Sequence, residues 1–355
     1  MVVNMANTSA RTRVLITGAT GLIGRELMQA LSPPRWEVLG LGRSRGLADG
    51  ETRSCDLTED GAAEKVIQEF QPEVIVHLAA ERRPDAVAKD PGRARRLNVD
   101  VVQQLATACR RMKIWLLFVS TDYVFDGTQP PYSHDAVPNP LNGYGKQKYE
   151  GEKIVELEQS NGQVPSQWDW SVLRVPLLYG YVQFLGESSV TDLYDKLRQG
   201  QLSEADDLQK RYPTHCGDVA KVLRRMIEVH VDGNKMTGYF HFQAAECLTK
   251  YDMVRVIGEV ADIDITNVIA SKVAAKVARP EDSQLDCSRL ESYLGDLSQF
   301  RRSFREGVYD GLRPFLGPET GATEEVQETG GPECSKGGTV QAAELEPAQL
   351  SKNNG

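Results

Sequence analysis

The sequence predicts an α/β protein built on a doubly wound parallel sheet, with a smaller C-terminal lobe. Three observations predict it. From Arg13 to about Gly180 short apolar runs alternate with longer amphipathic stretches, the pattern of strands joined by crossover helices. The first run leads directly into a glycine-rich turn, TGATGLIGREL, which opens an amphipathic stretch. Beyond Gly180 the alternation loosens into mixed segments, as in the small lobes that cap the open edge of such sheets.

Residues 14–17, 36–41, 74–78, 114–120 and 171–178 are the strand candidates, because they are short and largely aliphatic or β-branched, as strands buried on both faces are. Helices are predicted over 22–31, 62–70, 93–111 and 144–158, with another beginning near Ser188. Within 93–111 the positions Leu97, Val101, Val102, Leu105 and Ala108 recur at helical spacing, so one face packs on a sheet. The chain divides by this reading into a flexible N-terminus (1–12), a cofactor-binding domain (13–180, its sheet completed by later segments), a smaller mixed α/β lobe (181–316) and a tail (317–355). The tail, GPETGATEEVQETGGPECSKGG and onward, is poor in large apolar residues and cannot offset its ordering entropy, so it is expected to be disordered. Met5 is an alternative start.

With 50 acidic and 41 basic residues the chain carries a formal charge of −9, which argues against the basic footprint of a nucleic-acid binder. No apolar run is long enough to span a membrane or to serve as a signal peptide. The six cysteines are scattered, with no C-x-x-C pair and no His/Cys set at zinc spacing, so no metal site is predicted. They read as reduced thiols of a cytoplasmic protein.

Gly18, Gly21 and Gly24 form G-x-x-G-x-x-G between the first strand and the first helix. Such a turn lets backbone N–H groups of Gly18, Thr20, Gly21, Leu22, Ile23 and Gly24, together with the helix dipole, face a pyrophosphate. This makes the sheet a Rossmann-type, dinucleotide-binding one. After the second strand the chain reads Arg43-Ser44-Arg45 where an NAD site places an acid, and two cations with a hydroxyl suit a 2′-phosphate. NADP(H) is therefore expected over NAD(H). Leu78, Ala79 and Ala80 end the third main strand at the carboxyl edge, where ligands bind in open α/β sheets, and the stretch continues ERRPD. From there Arg82 reaches toward the cofactor, while Arg83 stays exposed or pairs with Asp85.

The stretch STDYVFDG carries Thr121, and YGKQK carries Tyr144 and Lys148, four apart and hence one helical turn apart on one face. His215 and Asp218, at a loop-to-helix junction, are expected to serve capping and packing. Trp168 and Trp170 are expected to anchor the insertion 160–167.

The glycine spacing together with Tyr-x-x-x-Lys resembles the extended short-chain dehydrogenase/reductase family. With LRVPLLYG and RPEDSQLD added, the chain resembles dTDP-4-dehydrorhamnose reductase and its relatives over nearly all of 13–315. That resemblance implies that Lys148 lowers the phenol pKa of Tyr144 and holds the nicotinamide ribose, that Tyr144 exchanges a proton with a substrate oxygen, and that Thr121 donates a hydrogen bond to it. It also implies that Leu178 lies beside the nicotinamide and that Asp56 and Leu57 belong to the adenine-contacting turn. The runs AAERRPD, PYSHDAVPNPLNGYGKQKYEGEK, RYPTHCGDVA, LTKYDM and RPEDSQLDCSRL are most similar to the regulatory β subunits of methionine adenosyltransferase. This implies a non-catalytic, NADP(H)-binding regulatory subunit in a hetero-oligomer with the methionine adenosyltransferase catalytic subunit, which makes S-adenosylmethionine. In that family the C-terminal end helps dock the catalytic subunit, and the sequence beyond Phe315 departs from it. The alternative is an NADPH-dependent reductase of a nucleotide-linked 4-keto-sugar with Tyr144 as the acid.

Overall fold

The structure is a computed structural model that describes residues 11–43, 51–158, 168–273 and 277–317. Ser44, Arg45, the insertion 160–167, the first ten residues and all but the first residue of the 317–355 tail lie outside them.

In chain order the elements are β1 (Thr12–Thr17), α1 (Leu22–Ala30), β2 (Trp36–Gly42), β3 (Thr52–Ser54), α2 (Ala62–Phe70), β4 (Val74–His77), α3 (Pro84–Lys89), α4 (Pro91–Arg95), α5 (Val101–Met112), β5 (Trp115–Thr121) and α6 (Gly143–Glu158). They continue with β6 (Trp170–Val175), β7 (Leu178–Tyr179), α7 (Ser189–Arg198), β8 (Glu204–Asp206), β9 (Thr214–His215), α8 (Cys216–Val231), β10 (Gly238–His241), α9 (Lys250–Ala261), β11 (Ile269–Ser271), α10 (Ser288–Leu294) and α11 (Phe304–Leu312).

Seven strands form one sheet in the order β10-β6-β5-β4-β1-β2-β3, all parallel. The order reverses at β1, between β2 and β4, which opens a crevice at the carboxyl ends of the strands. Alternate residues feed the two faces. Val14, Ile16 and Val76 pack with Leu27 of α1 and Val219, Leu223 and Met226 of α8. Leu15, Ile75, Leu116 and Phe118 pack with Ile67 of α2, Leu105 of α5 and Val155 of α6. Because both faces are covered, the strands read as unbroken apolar runs, and each fully buried Leu, Ile or Val contributes roughly 1.5–3 kcal/mol. A separate cluster of Val190, Leu193, Met253, Ile257, Phe304 and Val308 joins α7, α9 and α11.

Two predicted elements are divided. The helix expected over 93–111 is α4, a π-helical turn at Arg96–Asp100, and α5. The π turn places the buried Asn98 so that its Oδ1 accepts from Glu81 N at 2.9 Å and its Nδ2 donates to Gln147 Oε1 at 3.0 Å. Helix register is thus given up to hold the loop after β4. The strand expected over 171–178 stops at Val175, because Pro176 has no N–H for the ladder, and Leu178–Tyr179 pairs with β9 instead. The sheet also gains β10, a four-residue edge strand beginning at a glycine, too short to show a period.

Buried histidines give the fold a pH dependence. His77 and His241 are each 1% exposed. Burial, aided by the Lys148 charge for His77 and the Arg174 charge for His241, pushes both imidazoles down from 6.5 to about 3. Above pH 6.5 they are neutral in the folded and unfolded chain alike and add no pH dependence. As pH falls below 6.5, the unfolded chain binds protons that the folded chain refuses, so stability is lost. At pH 5 each contributes a loss on the order of 2 kcal/mol, from about 1.4 kcal/mol per pH unit. Urea unfolding at pH 7.5, 6 and 5 is expected to show falling midpoints. A flat profile across that range contradicts neutral buried imidazoles.

Candidate cofactor and active site

The crevice beside β1 is a cleft of about 1440 Å³, larger than the ~300–1,000 Å³ of an ordinary small-ligand pocket. Its floor is the glycine turn. Gly18 has φ +71°, and a Cβ there meets Ala79 N at 2.8 Å, so only glycine lets this loop lie against the one after β4. A Cβ on Gly24 meets the Gly18 carbonyl oxygen at 2.3 Å, so glycine there seats α1 on the loop. The N-cap of α1 is Gly21, which has no side chain to cap with, and this leaves the first-turn N–H groups of Leu22, Ile23 and Gly24 without a capping side chain at a helix N-terminus. A pyrophosphate fits this cradle.

All the described residues of the predicted cofactor set line this one cleft: Gly18, Thr20, Gly21, Leu22, Ile23, Gly24, Arg43, Asp56, Leu57, Leu78, Ala79, Ala80, Arg82, Tyr144, Lys148 and Leu178. Arg43 is exposed, and Asp56 accepts from Thr58 N at 3.0 Å and Thr58 Oγ1 at 2.7 Å, bonds that hold its carboxyl below the usual range. Thr121 lines the cleft as well, so the structure brings Thr121, Tyr144 and Lys148 together from β5 and α6.

Each of the three has partners within the chain. Lys148 Nζ donates to the Val119 carbonyl at 2.8 Å and stands 3.9 Å from the centre of the Phe118 ring. Burial pushes its ammonium down to about 7, with Glu152 opposing. Tyr144 is pushed up, by burial first and by the Asp122 charge second, with the Arg82 charge and a hydrogen bond with Thr121 opposing. The Thr121 hydroxyl donates to Asp122 Oδ1 at 3.0 Å. Asp122 is 2% exposed, and burial raises its carboxyl to about 6 although Ser283 Oγ also donates to it.

Arg82 crosses the cleft and donates to the Glu187 carbonyl. Arg83 is exposed as expected, but its partner is Glu81, at 3.0 Å. Asp85 pairs with Arg279 at 3.0 Å, because the lobe brings that arginine over the first turn of α3. The sequence reading missed Asp122, Ser283, Arg211, Lys250 and Arg279, all near or lining the site. Asp122 and Ser283 lie inside the STDYVFDG and RPEDSQLD runs, yet no spacing signal joins residues 161 positions apart. Arg211, 2% exposed, and Lys250, whose ammonium burial and the Arg279 and Arg211 charges push down, lie inside the RYPTHCGDVA and LTKYDM runs, where no spacing signal ties either cation to the glycine turn. His215 caps α8, its Nδ1 accepting from Gly217 N at 3.0 Å, and Asp218 pairs with Arg302 at 2.9 Å. Trp168 is anchored through Nε1 to the Ile114 carbonyl at 2.7 Å. Among the described residues no group of three or more His, Cys, Asp or Glu could hold a metal ion, and no helix is long and apolar enough to cross a membrane.

The model of the RmlD substrate binding domain family matches residues 12–313. Methionine adenosyltransferase 2 subunit beta of Bos taurus is 42% identical over 307 residues, covering 86% of this chain and 88% of the relative. A dTDP-4-dehydrorhamnose reductase of Aggregatibacter actinomycetemcomitans is 31% identical over 294 residues, covering 80% of this chain and 93% of the relative. The solved dTDP-4-dehydrorhamnose reductase of Bacillus anthracis, in complex with NADP, has the same fold, with a TM-score of 0.71 at 24% identity over 87% of this chain and 100% of that one. A family model that spans 12–313 and a relative 42% identical across most of both chains show that this chain belongs to the RmlD substrate binding domain family, and within it to the family of methionine adenosyltransferase 2 subunit beta.

Proposed function

We propose that the chain is an NADP(H)-binding regulatory subunit of methionine adenosyltransferase, cytoplasmic, which acts by binding the catalytic subunit and not by turning over a sugar. One observation carries this reading: an intact dinucleotide cradle stands in a chain that shares 42% identity, across most of both lengths, with a protein named as a subunit of methionine adenosyltransferase. The triad is common to both readings: Lys148 Nζ donates to the Val119 carbonyl, and the Thr121 hydroxyl bonds both Asp122 and Tyr144. The 42% identity to a protein named as a subunit supports the partner. When bound, a nicotinamide cofactor supplies hydride chemistry. What this chain's own residues do is hold it, with the glycine turn for the pyrophosphate and Arg43 for a 2′-phosphate. In this reading residues 13–180 with the later strand form the cofactor domain, and 181–316 form the lobe that closes it.

The second reading, an NADPH-dependent reductase of a nucleotide-linked 4-keto-sugar, is favoured by the cations Arg211, Lys250 and Arg279 along the cleft, which suit a diphosphate. Tyr144→Phe separates the two, since it keeps the ring and removes the proton donor. A regulatory subunit carrying it is expected to retain both NADPH affinity and its effect on methionine adenosyltransferase kinetics. A reductase is expected to lose keto-sugar-dependent NADPH oxidation by ~10²-fold or more. Wild type that oxidises NADPH with dTDP-4-dehydrorhamnose at an ordinary enzymatic rate, and neither binds nor alters the transferase, overturns the first reading.

A further inference from the structure

We propose that Arg25 and Glu187 form a latch across one end of the cofactor cleft, and that this latch sets how fast the cofactor leaves; the proposal rests on the reading of the cleft as a dinucleotide site. Arg25 follows Gly24 in the first turns of α1, so it is fixed to the wall that carries the glycine turn. Glu187 lies 162 residues later, in the segment between β7 and α7 that forms the facing wall. Two parallel bonds join them, Nη1 to Oε1 at 2.7 Å and Nη2 to Oε2 at 2.9 Å. This is the bidentate geometry that makes an arginine–carboxylate pair strong and directional. The two side chains are 15% and 13% exposed, so solvent screens the pair far less than a surface one.

The rest of the contacts make it a junction between walls and not an isolated pair. Arg25 also donates to the Thr20 carbonyl of the glycine turn at 2.7 Å and to the Tyr181 carbonyl of the facing segment at 3.1 Å. The Glu187 carboxylate accepts from Gln183 N at 2.8 Å, and the Glu187 carbonyl accepts from Arg82. Thr20, Arg82 and Glu187 all line the cleft. The facing segment is also held by the buried Val182 and Leu185 and by the Thr191 hydroxyl, which donates to the Leu185 carbonyl at 2.5 Å, while Tyr181 and Phe184 are each 52% exposed. Widening the cleft beside the glycine turn therefore requires the Arg25–Glu187 bonds to break. Arg25 touches no reacting group, and its role is that of a positioning residue.

The test uses the full chain and NADPH. Stopped-flow fluorescence measures the NADPH dissociation rate of wild type, Arg25→Gln, Glu187→Gln, the double variant and Arg25→Lys. Hydrogen exchange in the same proteins reads the Gln183 amide. Each single Gln variant is expected to release NADPH about 10-fold faster or more, and to exchange the Gln183 amide faster, as for the loss of a charge-assisted pair. The double variant is expected to be no worse than the poorer single one, because the two residues act as one unit. Arg25→Lys is expected to fall between wild type and Arg25→Gln, since it keeps the charge and loses the fork. If Arg25→Gln fails to fold, Arg25→Lys and Glu187→Gln decide by the same two readouts. Dissociation rates at the wild-type value, or single effects that add in the double variant, overturn the latch alone. Wild type that does not bind NADPH overturns the cofactor reading and the latch with it.

Discussion

Gly24→Val is expected to abolish NADPH binding at micromolar concentrations while Gly92→Ala leaves it unchanged. The first Cβ atom at position 24 already lies 2.3 Å from the Gly18 carbonyl oxygen and 2.6 Å from Ala19 Cα, both backbone atoms of the turn. No side-chain rotation relieves contacts with backbone, so α1 must move off the loop and carry its first-turn N–H groups with it. Overpacking of this kind costs about 1–3 kcal/mol in stability. The loss in binding is larger, because the cradle for the phosphates is itself displaced, and 2.7 kcal/mol corresponds to roughly 100-fold in affinity. Gly92, in α4, has nothing within 4 Å of a built Cβ and serves as the control. Calorimetric titration with NADPH, with a thermal melt of each variant, reads both effects. Gly24→Val that binds NADPH like wild type shows that the turn is not where the cofactor's phosphates sit.

That the turn could be found at all from sequence follows from how local its determinants are. A strand, three glycines at fixed spacing and the first residues of a helix lie within Thr12–Ala30, and each is specified by its own neighbours. The same holds for α2, whose bounds Ala62–Phe70 are those its apolar spacing predicts. Legibility fails where structure is decided by contacts distant in the chain. The π turn at Arg96–Asp100 exists because Asn98 is drawn to Glu81 and Gln147, and helical periodicity alone carries no trace of that. Arg83 takes Glu81 because Arg279 has already taken Asp85, a pairing 194 positions apart. In the site, residue types and their helical spacing placed Tyr144 and Lys148 in one cleft, but not the direction in which Lys148 points. That direction is set by the Val119 carbonyl and the Phe118 ring. The identity of a functional side chain is a local fact, whereas its hydrogen-bond partner is a tertiary one.

Glu152→Ala is expected to cost about 3–5 kcal/mol of folding stability, the largest single-residue effect away from the glycine turn. Glu152 sits one turn beyond Lys148 on α6, at 0% side-chain exposure, and grips Arg174 of β6, at 2%. Arg174 Nε donates to Oε1 at 3.1 Å and Nη2 to Oε2 at 2.8 Å. The guanidinium is further confined by the rings of Phe125 and Tyr239, at 5.0 and 4.5 Å. Its Nη1 lies 3.2 Å from His241 Nε2, which accepts because arginine only donates. The proton of His241 is therefore on Nδ1, 3.1 Å from the Tyr132 carbonyl it donates to. Removing the carboxylate leaves a permanent cation inside the protein with no counter-charge, and a guanidinium cannot shed its proton to escape. Glu152→Leu combined with Arg174→Met removes both charges at similar volume, and is expected to recover most of the loss, since a buried pair is worth far less than the cost of breaking it. Urea unfolding of the two single variants and the double variant measures the cycle. A cost below about 1 kcal/mol for Glu152→Ala shows that Arg174 is reached by water or by another acid once Glu152 is gone, and that the pair does not hold α6 to β6.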